Sequence, residues 1–142
     1  MHPRPIPRPG TAQRAVIVWF GILCCAIANG AVREAWLIPT LGTAAGRLAS
    51  VALLSAIVIV VARFTMAWIG PASRRGASGV GALWLALTLA FEFGAGHFLF
   101  GKPWPELFAD YNVARGRLWV VVLLTVVLAP VYSVRRDAGG PR

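Results

Sequence analysis

Four long apolar runs constrain the fold of this chain more than any other feature of its sequence. They cover residues 15–32, 48–69, 80–101 and 118–134. A helix over residues 80–101 rises about 1.5 Å per residue and so spans roughly 33 Å, enough for the hydrocarbon core of a bilayer. The composition, 58% hydrophobic and 13% charged, is too apolar for a soluble domain of this size. We therefore expect an all-α, polytopic membrane protein with four transmembrane helices.

The apolar runs form one domain, residues 15–134, between two basic tails. Residues 1–14 are rich in proline and arginine, and residues 135–142 are also basic. Such segments build neither a core nor a regular helix, so we expect both tails to be disordered. A secretory signal peptide is an alternative interpretation of the first run, because Ala26–Ala28 resembles a cleavage site. The three later runs favour an uncleaved anchor.

Basic residues flank the apolar runs and indicate how the chain crosses a membrane. The side with both tails and the connection between the second and third runs holds Arg4, Arg8, Arg14, Arg74, Arg75, Arg135, Arg136 and Arg142. The other side holds Arg33, Arg47, Lys102, Arg115 and Arg117. Because cytoplasmic segments carry the excess of Lys and Arg, we expect both termini in the cytoplasm. No nucleic-acid partner is expected, since that would need the net charge of +9 gathered on one water-facing surface.

One carboxylate, Glu92, lies in the middle of the third run, where a charge costs about 2.5–3.5 kcal/mol. Rise per residue places Asn29 of the first run level with Glu92, and places His97 and Arg33 nearer the outer surface. These four residues form a candidate polar centre. Two interpretations stay open. Either the other three side chains satisfy Glu92 and lock the helices together, or Glu92 titrates and binds a proton or a cation.

The outer connections add a second set of polar residues and an amphipathic helix. The candidate binding residues on this face are Glu34, Arg47, Asp110, Tyr111, Asn112, Arg115 and Arg117. Within residues 103–113, apolar side chains recur at i, i+3, i+4 and i+7, which predicts a helix lying along the outer interface. Capping of that helix is the alternative role for residues 110–112. With the polar centre, this set predicts a funnel that opens outward and narrows to Glu92.

The third run has two distinct faces when it is plotted as a helix. An aromatic ridge, which we expect to face lipid, recurs every seven residues: Trp84, Phe91 and Phe98. A small-residue face recurs every four residues: Ala82, Ala86, Ala90 and Gly94. Small residues let helix backbones approach closely in lipid. We therefore expect a homodimer that packs through this face, or a place within a larger membrane complex.

A weak internal repeat relates the two halves of the chain. Residues 29–31 and 93–95 are similar tripeptides near the ends of the first and third runs, and an Arg-Leu pair opens both the second and the fourth. The repeat predicts two tandem helix hairpins in the same orientation. Chance similarity is the alternative, because glycine, arginine and leucine are common at such junctions.

Several kinds of chemistry lack the residues that they need. Cys24 and Cys25 are adjacent and have no other cysteine to pair with, so a CxxC redox pair and a cysteine zinc site are excluded. We expect both to be small buried hydrophobes. His97 with one glutamate is a poor metal site, and no nucleophile-base set or phosphate-binding glycine loop is present. We therefore name no catalytic residue, no metal and no cofactor.

Three segments, residues 29–42 (NGAVREAWLIPTLG), 91–104 (FEFGAGHFLFGKPW) and 109–119 (ADYNVARGRLW), carry a resemblance to known proteins. The chain resembles a group of small bacterial four-helix membrane proteins of unknown function. The resemblance implies a bacterial cytoplasmic membrane and the four-span layout. It implies no activity.

Three functions fit these features. The preferred hypothesis is a small transporter or ion-conducting unit in which Glu92 is the coupling carboxylate. The alternative is an accessory or assembly subunit of a larger membrane complex, in which Glu92 is structural. A third hypothesis is a lipid-headgroup enzyme at the outer face, where Asp110, Arg115 and Arg117 act and the arginines hold a phosphate.

Overall fold

The computed structural model describes residues 9–109, 111–112 and 118–134, and every element in this part of the chain is helical. The helices are α1 (Thr11–Leu41), α2 (Thr43–Ile69), α3 (Arg74–Leu99), α4 (Trp104–Ala109) and α5 (Trp119–Ser133). The all-α prediction is confirmed for the described residues. By length and composition α1, α2 and α3 are able to cross a membrane, whereas α5 is shorter, with 15 residues.

α1, α2 and α3 each begin before the apolar run that predicts them, and α1 also ends after its run. α1 begins at Thr11, inside the segment expected to be a disordered tail, and continues through the first outer connection to Leu41. α3 begins at Arg74, within the basic connection between the second and third apolar runs. Within residues 103–113, where the interfacial helix is predicted, the structure has the short helix α4. Apolar patterning marks the part of a helix that is compatible with lipid, but backbone hydrogen bonding continues through the flanking polar residues. Residues 1–8 and 135–142 lie outside the described residues.

Glycines make the two tight connections between long helices. Gly42 alone joins α1 to α2, and its φ of 83° lies in the left-handed region that favours glycine. Four residues later, a Cβ on Gly46 would lie 2.9 Å from the backbone of Ile38, so the two helices meet almost backbone to backbone. At the other end, Gly70 closes α2 with a φ of 69°, and the Ser73 hydroxyl accepts a hydrogen bond from the Gly76 amide to start α3.

α1 and α3 each contain a π-helical turn near the carboxyl end, at Arg33–Leu37 and Ala95–Leu99. The first has a visible cause: Pro39 lacks an amide hydrogen, and its ring would clash with a carbonyl of a regular α-helix, so the preceding turn widens. The first turn begins two residues after the tripeptide 29–31, and the second begins at the last residue of the tripeptide 93–95. The two halves of the chain therefore share this local feature as well as their sequence similarity.

Four helices form a ring in the order α1, α2, α5, α3, with each helix packed against the next and α3 against α1. Two indoles give the orientation of α1 and α3. Trp84 Nε1 donates to the Ala15 carbonyl over 2.9 Å, and Trp19 Nε1 donates to the Thr88 hydroxyl over 3.0 Å. Both bonds join residues 69 positions apart, so α1 and α3 run parallel. The two hairpins, α1–α2 and α3–α5, therefore have the same orientation.

The bundle is packed at one end and hollow at the other. We call the end near Thr11, Ile69 and Ser133 the terminus end, and the end near Leu41 and Leu99 the loop end. The core extends from the terminus end to the inner wall of a cavity, and its largest fully buried side chains include Trp84, Leu54, Ile69, Val58 and Val126. In the loop half the helices separate around this cavity.

The aromatic ridge of α3 does not face outward as predicted. Trp84 is fully buried and Phe91 packs against the core, whereas Phe98 is 80% exposed. The small residues Ala82, Ala86 and Ala90 lie toward the outside instead, and all three are exposed. The buried indole gains a hydrogen bond from its N–H, and α3 meets α5 where Gly81 lies against the Val127 backbone. These two contacts set the rotation of α3.

Candidate functional site

A cavity of about 510 Å³ lies between α1, α2, α3 and α5. Its deeper wall is apolar and is formed by Trp19, Ile22, Leu54, Val58, Val122 and Val126. Its mouth at the loop end is charged and is formed by Arg33, Glu34, Arg47, Lys102 and Glu106. Thr88 lies at the level of the deeper wall, and Glu92 and Asn29 follow toward the mouth. The cavity is of the size that holds a small organic ligand.

Glu92 is half-buried in this wall and bonds with a residue from outside the bundle. The Tyr111 hydroxyl donates to Glu92 Oε2 over 3.4 Å, a long hydrogen bond. The phenol thus reaches Glu92 from the segment that follows α4. A side chain of that segment is therefore bonded to a residue of the cavity wall.

Aromatic stacking holds the segment after α4 in place. The Tyr111 ring stacks on Phe93 with 5.7 Å between centroids and 9° between planes, and Phe93 also contacts Phe108 at 5.4 Å. Leu107 is buried against Gly96, where an added Cβ would lie 2.7 Å from Leu107 Cδ2. Since Phe93 follows Glu92 directly, the stack that fixes the phenol also fixes its distance from the carboxylate.

Asn29 is 6% exposed and bonds to α2, not to Glu92. Its Nδ2 donates to the Ser50 hydroxyl over 2.8 Å and to the Ser50 carbonyl over 3.2 Å. Among the described residues, Asn29 Oδ1 is buried without a hydrogen-bond partner. This amide therefore joins α1 to α2 next to the cavity and keeps one acceptor unused.

Arg33 and His97 also have partners other than Glu92. Arg33 Nε lies 3.0 Å from Glu34 Oε1, and this ion pair is at the cavity mouth. His97 Nδ1 lies 2.9 Å from the Lys102 carbonyl oxygen, and its ring stacks on Trp104 with 4.3 Å between centroids. His97 does not line the cavity. It fastens the turn between α3 and α4, which is a structural role.

Asn29 and Glu92 are not level, in contrast to the prediction from rise per residue. The offset of 69 between hydrogen-bonded residues of α1 and α3 places Glu92 level with Leu23. Asn29 is therefore about six residues, or roughly 9 Å, nearer the loop end. The prediction assumes that both apolar runs start at the same depth. The interhelical bonds show that they do not.

The outer-face residues divide between the cavity mouth and other positions. Glu34 and Arg47 line the mouth, and Tyr111 reaches Glu92. Asn112 is exposed, and its amide donates to the Ala109 carbonyl over 3.1 Å, which closes the turn after α4. Asp110, Arg115 and Arg117 lie outside the described residues, so the structure says nothing of the headgroup-enzyme hypothesis.

Two polar residues near the cavity, Ser50 and Thr88, are not among those predicted from the sequence. Ser50 bonds to Asn29, and Thr88 bonds to Trp19. A signal for Ser50 exists in the sequence. It belongs to a stripe in which every fourth residue of α2 is buried, from Gly46 through Leu54 and beyond. Thr88 has no such signal, because its hydroxyl also donates to the carbonyl of its own helix, a common arrangement for threonine.

The site is suited to binding and offers no metal centre in the described residues, where no group of three or more His, Cys, Asp or Glu side chains converges. Cys24 is exposed and Cys25 half-buried, so the expectation that both are buried is wrong for Cys24.

Searches against protein-family models, curated proteins and solved structures found no match to this chain. The case for a function therefore depends on the geometry of the cavity.

Proposed function

We propose that this protein is a small membrane transporter whose substrate enters the cavity from the loop end and whose transport is coupled to Glu92. In this proposal α1, α2, α3 and α5 all span a bacterial cytoplasmic membrane and both termini are cytoplasmic. The three helices of sufficient length and apolarity support this placement, as does the distribution of arginine. A bilayer is then the solvent of the bundle.

One observation carries the proposal: Glu92 lies on the wall of an intra-bundle cavity that is otherwise largely apolar at its depth. A carboxylate at this depth is expensive for a purely structural purpose, because an apolar residue would pack there at lower cost. A titratable carboxylate beside a ligand-sized cavity is the arrangement that lets a proton or cation and an organic substrate share one site. The aliphatic and indole walls favour a substrate with an apolar body.

A specific observation supports the accessory-subunit alternative and a homodimer. The small-residue face of α3 lies toward the outside of the bundle, with Ala82 and Ala90 exposed. In lipid, such a face is suited to close packing of another helix, either from a second copy or from another protein. For a subunit of this kind, Glu92 serves stability only.

Proton flux into vesicles tests the transporter proposal. The protein is reconstituted into liposomes that contain a pH-sensitive dye, and a pH gradient is imposed. We expect Glu92→Gln, which keeps the size of the side chain and removes its charge, to reduce proton uptake to the level of empty liposomes. Its melting temperature in detergent should stay at the wild-type value.

Ser78→Ala is the matched control, because Ser78 is on the same helix but its hydroxyl donates to its own backbone at Arg74. This variant should keep wild-type flux. Wild-type uptake by Glu92→Gln rejects the proposal. A lowered melting temperature, unchanged flux and a copurifying partner would instead support the accessory subunit.

A further inference from the structure

A second concave surface lies on the outside of the bundle, between α2 and α5, and is separate from the cavity. This groove has a volume of about 390 Å³. Its wall is mainly aliphatic and includes Ile59, Val121, Leu124 and Leu128. Toward the terminus end it is bordered by Arg63, Tyr132 and Ser133. The groove therefore has a long apolar part and a short polar part.

Arg63 is the one charged residue among those that line this groove in the described part of the chain, and it is exposed. Within the described residues, no carboxylate forms an ion pair with it; the ion pair in this part of the chain is Arg33 with Glu34. Trp68, which is near the same end of α2, is contacted by Arg14. The Arg14 guanidinium donates to the Trp68 carbonyl over 2.8 Å and lies 5.6 Å from the centre of its ring.

The depth of Arg63 matches that of a phospholipid headgroup. α2 has 27 residues and is about 40 Å long, so it exceeds a hydrocarbon core of roughly 30 Å by about 5 Å at each end. Arg63 is six residues, or about 9 Å, from Ile69. Its Cα thus lies only about 4 Å inside the hydrocarbon boundary, within reach of the long arginine side chain.

We infer that this groove binds one anionic phospholipid, with the phosphate on Arg63 and an acyl chain along the aliphatic wall. A guanidinium fits phosphate oxygens in a bidentate geometry, and the Tyr132 phenol supplies a further donor at the membrane interface. A headgroup without an ammonium is preferred, because the ammonium of a zwitterionic lipid would repel Arg63. The inference needs the membrane placement proposed above but does not involve Glu92 or transport.

Native mass spectrometry of the protein released from nanodiscs tests this inference. The nanodiscs contain phosphatidylcholine with a minor fraction of phosphatidylglycerol. We expect the wild-type chain to retain one phosphatidylglycerol. Arg63→Gln should lower its occupancy about tenfold, and Arg63→Lys, which keeps the charge but not the bidentate fit, should lower it less. Arg75→Gln is the control, because Arg75 is an exposed arginine at the start of α3 and outside the groove.

Each outcome separates this inference from the proposal about transport. Equal loss of phosphatidylglycerol in Arg63→Gln and Arg75→Gln would show that lipid retention depends on general surface charge and not on the groove. That result would overturn the inference. Equal retention of both lipids by the wild type would also overturn it. If Arg63→Gln is unfolded, the inference is decided by comparing the phosphatidylglycerol occupancy of Arg63→Lys with that of the wild type. Failure of the wild-type chain to enter nanodiscs would reject the membrane placement itself, whereas the flux of Glu92→Gln is independent of all these results.

Discussion

At the scale of single residues, the hydrogen bond between Asn29 and Ser50 is the best-defined polar contact between helices in the hollow half of the bundle. It joins two buried side chains over 2.8 Å in surroundings where most contacts are apolar and therefore do not favour one relative position of the helices. Interhelical hydrogen bonds in membrane proteins contribute about 0.6 kcal/mol on average and at most about 1.7 kcal/mol. The contribution of this bond to specificity exceeds its contribution to stability, because it fixes the register of α1 on α2.

A double-mutant cycle measures the bond directly. Asn29→Ala and Ser50→Ala should each lower the free energy of unfolding in detergent by about 1 kcal/mol, because each leaves its partner buried and unpaired. The double variant should lose less than the sum, with a coupling of about 0.5–1.5 kcal/mol. Thr125→Ala provides the comparison, since the Thr125 hydroxyl donates to Val121 of its own helix. Strictly additive losses would show that the two side chains do not interact.

At the scale of helices, backbone contact at glycine determines how α3 meets α5. A Cβ added to Gly81 would overlap the Val127 carbonyl oxygen and lie 3.2 Å from the Val127 Cα. Neither is the end of a flexible side chain, so the helices themselves would have to separate. A Cβ added to Gly79, two residues earlier on the same helix, would meet no heavy atom within 4 Å.

This contrast gives a matched pair of substitutions. Gly81→Ala should lower the free energy of unfolding by about 1–3 kcal/mol through overpacking. Gly79→Ala should raise the free energy of unfolding by up to about 1 kcal/mol, because alanine has a higher helix propensity than glycine and its methyl group has no close neighbour. Unfolding curves in the same detergent give both values. Similar effects of the two substitutions would mean that α3 and α5 are not in close contact at Gly81.

The rotation and relative depth of the helices, unlike their existence, could not be predicted from the sequence. In a soluble bundle the apolar face of a helix points to the core. In a chain as apolar as this one, either face of α3 is compatible with lipid and with the neighbouring helices. The pattern therefore predicts the wrong side for the ridge containing Trp84. Asn29, Arg33 and Glu92 are recognisable as candidate site residues because polar groups in apolar runs are conspicuous. The pairing of Tyr111 with Glu92 is not recognisable from the sequence, because it depends on how α4 folds back.

At the scale of the whole molecule, the bundle is asymmetric along its axis. Its terminus half is closed by the core around Trp84 and its loop half is open around the cavity. A transporter of this shape would receive substrate on one side, and the side is decided by the orientation of the chain. The arginines beside the terminus end, including Arg74 and Arg75, favour a cytoplasmic terminus end and a cavity that opens to the outside.

Labelling of single cysteines in intact bacterial cells tests that orientation. In a background where Cys24 and Cys25 are replaced by alanine, Thr43→Cys marks the loop end and Ala72→Cys marks the terminus end; both positions are exposed and uncharged. A maleimide that does not cross membranes should label Thr43→Cys in intact cells and Ala72→Cys only after permeabilisation. The reverse pattern would place the cavity mouth in the cytoplasm and turn the proposed transport direction around. Labelling of both positions in intact cells would contradict a membrane-spanning bundle, since a chain that crosses the bilayer must present its two ends to different compartments.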